Sequence, residues 1–414
     1  MLRLRAISLL DQIMFSAGNF LLTIILVKNF PDQAVVGYGV GLSVALLLQN
    51  IFWNIYVIKN SILPEKLFIH RAESILGQHL IIFALIISLE VIGCLFYMFI
   101  WPSELAAYVS LSIVMCTLIY LQLDFERITC LKFKKNNVLF FSSFIFMIIT
   151  ALLFFILPVI KIPYVFVILA IMLYSIVKIL HLIQVVGKVN FKAGLKLVKL
   201  DFRRSARSSL LGASGGFGYS HLPIFLMSKF AAPLEAAAFI ALRGLMQPIM
   251  IVIRSLDVID KNFFSKLDRT EFGIRKIFLR QLPIYLTGSG GIVFLTVFFG
   301  KDILSLIYGD KYEDYSHLLI GWSLAFALLM VTPPLDTIII RLKRNQKYNY
   351  IRMWSGIIAG LLSLYICPIY GAVGALGIAI LGYIIVLIGG LWIVRDVLFA
   401  PIDRKNHKIE ENVQ

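Results

Sequence analysis

The stretch AAAFIALRGLMQPIMIVIRSLDVID, Ala236–Asp260, is apolar for most of its length, yet it carries Arg243 and Arg254. An arginine near the centre of a membrane-spanning helix costs about 2.5–3.5 kcal/mol on insertion scales, so a span that keeps one should be using its charge. The rest of the chain shows that this is a span. Of the 414 residues 60% are hydrophobic and 15% charged, and the mean hydropathy is +0.89, far from the average soluble domain. Apolar blocks of about 20 residues, each long enough to cross a hydrocarbon core of about 30 Å, recur from end to end. The chain therefore reads as an all-α polytopic membrane protein with no separate soluble domain.

The blocks give about twelve spans. Six lie near 8–29, 34–58, 79–100, 104–123, 138–158 and 163–183, and six near 208–229, 235–256, 282–299, 316–340, 351–369 and 372–394. The net charge of +16 raises the question of nucleic acid, but the positions of the basic residues answer it differently. Roughly 30 of the 39 Lys and Arg fall in alternate loops, from Arg3 and Arg5 to Arg395–Lys408. The intervening loops hold Lys28, Lys161, Lys229, Lys301 and Lys311. The positive-inside rule then places both termini in the cytoplasm, with no nucleic-acid partner. The first block follows two arginines like a signal peptide, but Asp11, Gln12 and Asn19 and the lack of a small-residue cleavage site make it a retained span. Cys94, Cys116, Cys130 and Cys367 have no paired spacing, so neither a disulfide framework nor a metal site is expected.

The longest polar interruption, GKVNFKAGLKLVKLDFRRSAR at Gly187–Arg207, has lysines at 188, 192, 196 and 199 on one helical face and Phe191, Leu195 and Val198 on the other. It reads as an amphipathic helix on the cytoplasmic leaflet, attracted by anionic membrane lipids, or as a solvated linker. It divides the chain into an N-terminal six-helix lobe (1–186), the basic linker (187–207), a C-terminal six-helix lobe (208–398) and a polar tail (399–414). The lobes show a faint repeat. LTIILVKNFPDQAVVGYGVGL from Leu22 aligns without gaps on PIFLMSKFAAPLEAAAFIALR from Pro223, pairing Lys28 with Lys229 and Tyr38 with Phe239. With an even number of spans per half the repeat is parallel, and a cavity is expected between the lobes.

No Walker A, zinc spacing or nucleophile elbow occurs. Gly212 with Gly216, Gly37 with Gly41 and Gly356 with Gly360 are GxxxG pairs, expected to let helices approach closely. In the eighth span Arg243, Gln247 and Arg254 share one stripe. Arg254 is close enough to the cytoplasmic end to snorkel or pair with Asp257, whereas Arg243 is too deep to reach either surface. It either pairs with a carboxylate on another helix or forms an anion site in the cavity. The first span carries a stripe of Gln12, Ser16, Asn19 and Thr23, which either contacts sugars or bonds to adjacent helices. Asp11 beside it, Glu90 and Asp336 are buried carboxylates suited to carrying H+ or Na+ or to neutralising an arginine. Lys178 is expected to snorkel, and His221, beside Pro223, to be a helix-interface histidine or a substrate ligand.

ILSLIYGDKYEDY from Ile303, PIYGAVGALGIAILGYII from Pro368, and the spacing of DQIMFSAGNFLLTIILVKNF and VVGYGVGLSV in the first two spans resemble Wzx-type polysaccharide repeat-unit flippases. These belong to the multidrug/oligosaccharidyl-lipid/polysaccharide (MOP) exporter superfamily. The resemblance covers nearly the whole chain. It implies two six-helix lobes around a MATE-like V-shaped cavity, through which an undecaprenyl-diphosphate oligosaccharide for O-antigen, capsule or exopolysaccharide crosses the membrane. It implies no resident cofactor, and it brings other polysaccharide-assembly membrane proteins into view as partners. The family's cationic cavity maps onto Arg243, with Arg254 and Lys178 as lesser candidates. Two alternatives stand beside it: a cation-coupled drug exporter, which would favour acidic and aromatic cavity residues, and a membrane polysaccharide polymerase or ligase, which would place a large loop outside.

Overall fold

In a computed structural model, residues 2–61, 63–160, 163–246, 248–249, 271–342 and 344–398 are described, and they are almost entirely helical. A backbone in hydrocarbon must pair every N–H and C=O within its own segment, which leaves helices as the solution for apolar blocks of this length. The first half comprises α1 (Leu2–Asn29), α2 (Asp32–Phe52), α3 (Ile58–Ser61), α4 (Glu65–Ile100), α5 (Glu104–Lys132), α6 (Asn136–Ile156) and α7 (Tyr164–Val186), with a π-helical turn at Trp53–Val57 joining α2 to α3. The second half comprises α8 (Phe191–Ser220), α9 (Leu222–Phe230), α10 (Pro233–Leu245), α11 (Glu271–Tyr308), α12 (Ser316–Arg341), α13 (Asn345–Ile393) and α14 (Arg395–Leu398). The last two spans are one continuous run, α13, bent at Gly371, whose φ of 54° and ψ of −137° lie where a side chain is strained. The Glu235 carboxylate occupies the space a side chain there would need, and accepts from the Ala372 N–H at 2.6 Å.

Eight runs among the described residues are long and apolar enough to cross a membrane, and two of them, 59 and 48 residues long, contain two spans each. This is an integral multi-pass membrane protein. The seventh and eighth spans are not among these runs: α9 has 9 residues and α10 has 13, and the eighth span continues into residues outside those described. On α4, Leu89, Ile92 and Phe96 are 61%, 64% and 64% exposed, the lipid-facing side of the first lobe.

Within the first half α1 packs on α6 and α2 on α5; within the second α8 packs on α13 and α11 on α12. Gly37 and Gly41 permit the α2–α5 contact, since a Cβ at either would lie 2.7 Å from the Tyr108 or Ser112 side chain. In α8 the packing pair differs from the expected one. Gly215 and Gly218 lie against the backbone of Arg352 and Gly356, whereas a Cβ at Gly212 or Gly216 would meet nothing nearer than 3.7 Å, and both line the cavity between the lobes. Helical rotation, which spacing alone leaves undefined, selects the glycines offset by two or three residues.

The basic segment is the first half of α8, capped by Asn190 accepting from Ala193 N at 3.0 Å. It docks on the first lobe: buried Asp201 accepts from Lys59 at 2.5 Å and from Gln78 at 2.9 Å, and Gly194 rests on Gly77. Phe191 and Leu195 remain 55% and 46% exposed beside Lys192, Lys196 and Lys199. At the other end of the chain, Arg344 clasps both Asp396 oxygens at 2.5 and 2.6 Å, and these bonds hold that carboxyl below the usual carboxylate range.

Candidate functional site

Two helices that break beside prolines meet at the cavity between the lobes. The α8 helix ends at His221 (φ −124°, ψ −35°), two residues before Pro223. The α10 helix ends at Met246, whose N–H folds back to the Arg243 and Gly244 carbonyls, two residues before Pro248. Proline lacks the N–H that would continue the ladder, and its ring clashes with the carbonyl four residues back, here Tyr219 and Gly244. The breaks bring His221 and Arg243 together. Arg243 donates to His221 Nδ1 at 3.5 Å, and its guanidinium lies 5.6 Å from the centroid of the Trp322 ring. Trp322, 1% exposed, is fixed by its indole N–H donating to the Phe239 carbonyl at 3.0 Å.

Arg243 lines the deep end of a cavity of about 370 Å³ between the lobes. The α1 stripe of Gln12, Ser16 and Asn19 forms one wall, and α8, with His221, the opposite one. Phe15 and Tyr120 on the first lobe, and Tyr219 and Tyr383 on the second, supply aromatic surface. Arg127 and Arg352 stand toward the face that carries the basic loops. Beyond Arg243 only about 20 Å³ remains, between Thr23, Tyr38 and Ile240. There the lobes close: Gly39 abuts Ile240, Gly244 abuts Thr23, and on the far face Lys311 pairs with Asp32 at 2.9 Å and donates to the Val27 carbonyl at 3.0 Å. Tyr312 adds a hydrogen bond to Asp32 at 3.3 Å.

The charges around the cavity are unequally matched. Asp11, fully buried, accepts from Arg127 at 2.7 Å and also from Ser143. Asp336 pairs with Arg352 at 3.0 Å, and the Arg352 guanidinium sits 4.5 Å from the centre of the Tyr348 ring. Among the described residues no carboxylate pairs with Arg243. Glu90, at the α4–α5 contact, accepts from Thr117 at 2.7 Å and neutralises no arginine there. Gln247 and Arg254 lie outside the described residues. Lys178 does not snorkel: it is fully buried and pairs with Glu126 at 2.8 Å, because a carboxylate inside the lobe is nearer than the interface. Among the described residues that line this polar, aromatic-walled space, Arg243 is the cation without a carboxylate partner, at its closed end.

Arg127 and Arg352 are the residues sequence reasoning placed elsewhere, counting both with the loops. The signal that points to them is the pair of intramembrane carboxylates Asp11 and Asp336, each of which needs a cation.

No known protein family matches the chain, and no curated protein matches it in sequence. Solved structures do match. The lipid II flippase MurJ in an inward closed conformation is similar over 95% of this chain and 88% of that one, with a TM-score of 0.70 at 14% identity. A eukaryotic MATE transporter is similar over 100% and 99%, with a TM-score of 0.55 at 12% identity. An inward-facing multidrug resistance MATE family transporter of the MOP superfamily is similar over 94% of each chain, with a TM-score of 0.55 at 13% identity. At such identities the likeness is one of fold: the chain has the all-helical architecture that MurJ and MATE transporters share, as the reading of two six-helix lobes expected.

Proposed function

We propose that the protein is a flippase that carries an undecaprenyl-diphosphate-linked oligosaccharide repeat unit from the cytoplasmic to the periplasmic leaflet by alternating access. The observation that carries this reading is Arg243, a guanidinium with no carboxylate partner among the described residues, at the blind end of the inter-lobe cavity. A diphosphate supplies the anion such a group lacks, and a guanidinium meets phosphate oxygens with two parallel donors. The positive-inside rule makes the basic face cytoplasmic, so the polar wall and the two flanking arginines stand on the side where a lipid-linked precursor would enter. MurJ, the neighbour with the highest similarity reported above, is itself described as a lipid II flippase.

The same cation disfavours a drug exporter for positively charged substrates. The short outer helical turn at Gly309–Tyr315, with its neighbouring charges engaged in closing the lobes, also fits a transporter better than a polymerase or ligase. Exposed Phe191 and Leu195 next to the α8 lysines suit an anionic leaflet, which would anchor the helix that touches both lobes.

The test is translocation per folded molecule in liposomes loaded with undecaprenyl-diphosphate glycan. A charge-assisted bond to phosphate contributes about 1.5–3 kcal/mol, so Arg243→Ala should slow transport roughly ten- to a hundredfold, with Arg243→Lys restoring part of it. Normal transport by Arg243→Ala would remove the diphosphate from this site.

A further inference from the structure

On α1 the polar side chains of Asp11, Thr23 and Asn29 have partners, whereas those on the face turned to the cavity do not find one among the described residues. Asp11 holds Arg127 and Ser143, the Thr23 hydroxyl donates to the Asn19 carbonyl at 3.0 Å, and Asn29 donates to the Ile25 carbonyl at 3.0 Å. By contrast, Gln12 Oε1 is buried without a partner, and the Ser16 hydroxyl and Asn19 amide make no hydrogen bond with another described residue. Asn19 is only 6% exposed. The spacing of four and three residues puts all three on one stripe, and the stripe lines the same cavity as Arg243. An amide held in a nearly buried position with nothing to bond is unfavourable unless water or a ligand completes it, and a ligand that does so gains what the free protein lacks.

The neighbouring surface narrows the ligand. Phe15 and Tyr120 flank the stripe, and Tyr219 and Tyr383, with ring centroids 5.1 Å apart, face it from the second lobe. Amides and a hydroxyl alternating with aromatic faces suit a sugar, whose ring offers C–H faces edged by hydroxyl or acetamido groups. The charge balance narrows it further. Arg127 and Arg352 are matched by Asp11 and Asp336, so a carboxylate-bearing sugar at the stripe would find no unmatched cation among the described residues other than Arg243.

We propose that Gln12, Ser16 and Asn19 form the saccharide subsite of this cavity, and that it takes an uncharged sugar, the one joined to the diphosphate. The proposal rests on the flippase reading of Arg243. The amides bond the hydroxyl or acetamido groups of the sugar while the aromatic walls cover its faces, and the oligosaccharide beyond it extends toward Arg127 and Arg352.

The experiment is equilibrium binding to the full-length protein in nanodiscs. Its probes are undecaprenyl diphosphate bearing one neutral N-acetylhexosamine, the same carrier bearing a hexuronic acid, and the bare carrier. Wild type should prefer the neutral glycolipid over the bare carrier by roughly ten- to a hundredfold, a few hydrogen bonds' worth. Gln12→Leu with Asn19→Leu should bind both alike, at the bare-carrier affinity. The milder Gln12→Met and Asn19→Ser should lose part of the preference, which guards against a folding defect in the double variant. Arg243→Ala should weaken all three probes while keeping the preference for sugar. Retention of that preference by the folded α1 variants, or tighter binding of the hexuronic acid lipid by wild type, overturns the subsite. If Arg243→Ala leaves the bare carrier unaffected while the α1 variants lose the sugar preference, the diphosphate reading falls and the saccharide subsite stands.

Discussion

Replacing Lys178 with methionine tests whether the interior of the first lobe is held by a charge pair or merely tolerates one. Lys178 Nζ and Glu126 Oε2 are 2.8 Å apart, and the side chains are 0% and 1% exposed. At an effective dielectric near 20 two unit charges at that distance attract by about 6 kcal/mol, and the desolvation of each offsets most of this. The net worth of the pair is therefore small, while the cost of breaking it is large. Lys178→Met leaves a carboxylate with no counter-charge and should destabilise by about 3–5 kcal/mol. Glu126→Gln strands the ammonium and should cost a similar amount. The double variant removes both charges, keeps the volume, and leaves the methionine against the Phe15 and Tyr174 rings now 5.6 and 5.3 Å from Nζ. It should return to within about 1 kcal/mol of wild type, a coupling of several kcal/mol. Neither residue lines the cavity, so transport per folded molecule should change little. Thermal or steric-trap unfolding in detergent measures the cycle. Additive losses would mean that the two groups do not meet, and the packing assigned to α5 and α7 would be wrong with them.

Two further expectations test orientation and helix rotation. Cysteines in place of Asn137 and Asp310 should react with an impermeant thiol reagent from the inside and outside respectively, in a chain whose four native, buried cysteines are removed; silence of Asp310→Cys from outside would reverse the orientation. Gly215→Ala should destabilise by about 1–3 kcal/mol because a Cβ there would lie 2.6 Å from the Met353 nitrogen, whereas Gly212→Ala, with nothing nearer than 3.7 Å, should be neutral in unfolding assays. The opposite order would return the packing role to Gly212.

Hydropathy and the alternation of Lys and Arg are local properties, summed over a window, and they place the spans that the helices occupy. What they miss depends on neighbours. A window average sees twenty apolar residues around Arg243 and takes one span, although Pro248 ends the ladder at Met246. Arg127 and Arg352 sit near helix ends, where a count of loop charges absorbs them, and only the rotation of α5 and α13 turns them toward Asp11 and Asp336. The glycine run at 212–218 shows that a close approach is available, but not which of its faces α13 uses. The α1 stripe was visible as a polar face; that its side chains find no partner among the described residues could be seen only once α2, α5 and α8 were packed around it.

The broken eighth span also explains how the chain keeps an unmatched arginine. A guanidinium at mid-depth costs about 2.5–3.5 kcal/mol to insert. Arg243 lies in the last turn of α10, beside the negative end of that helix's backbone dipole, which contributes about 0.3–2 kcal/mol for a partly buried cation. The Trp322 ring 5.6 Å away adds about 0.5–2 kcal/mol. Together these come close to the insertion cost without a carboxylate, so the charge is tolerated yet not consumed. An ion pair would have stabilised Arg243 more firmly and made it unavailable to a ligand. A helix end and an aromatic face hold the charge in place and leave its N–H donors largely free, His221 at 3.5 Å being a weak claim on them. It follows that Arg243→Ala should not lower thermal stability, and that the loss it causes should appear in substrate handling alone.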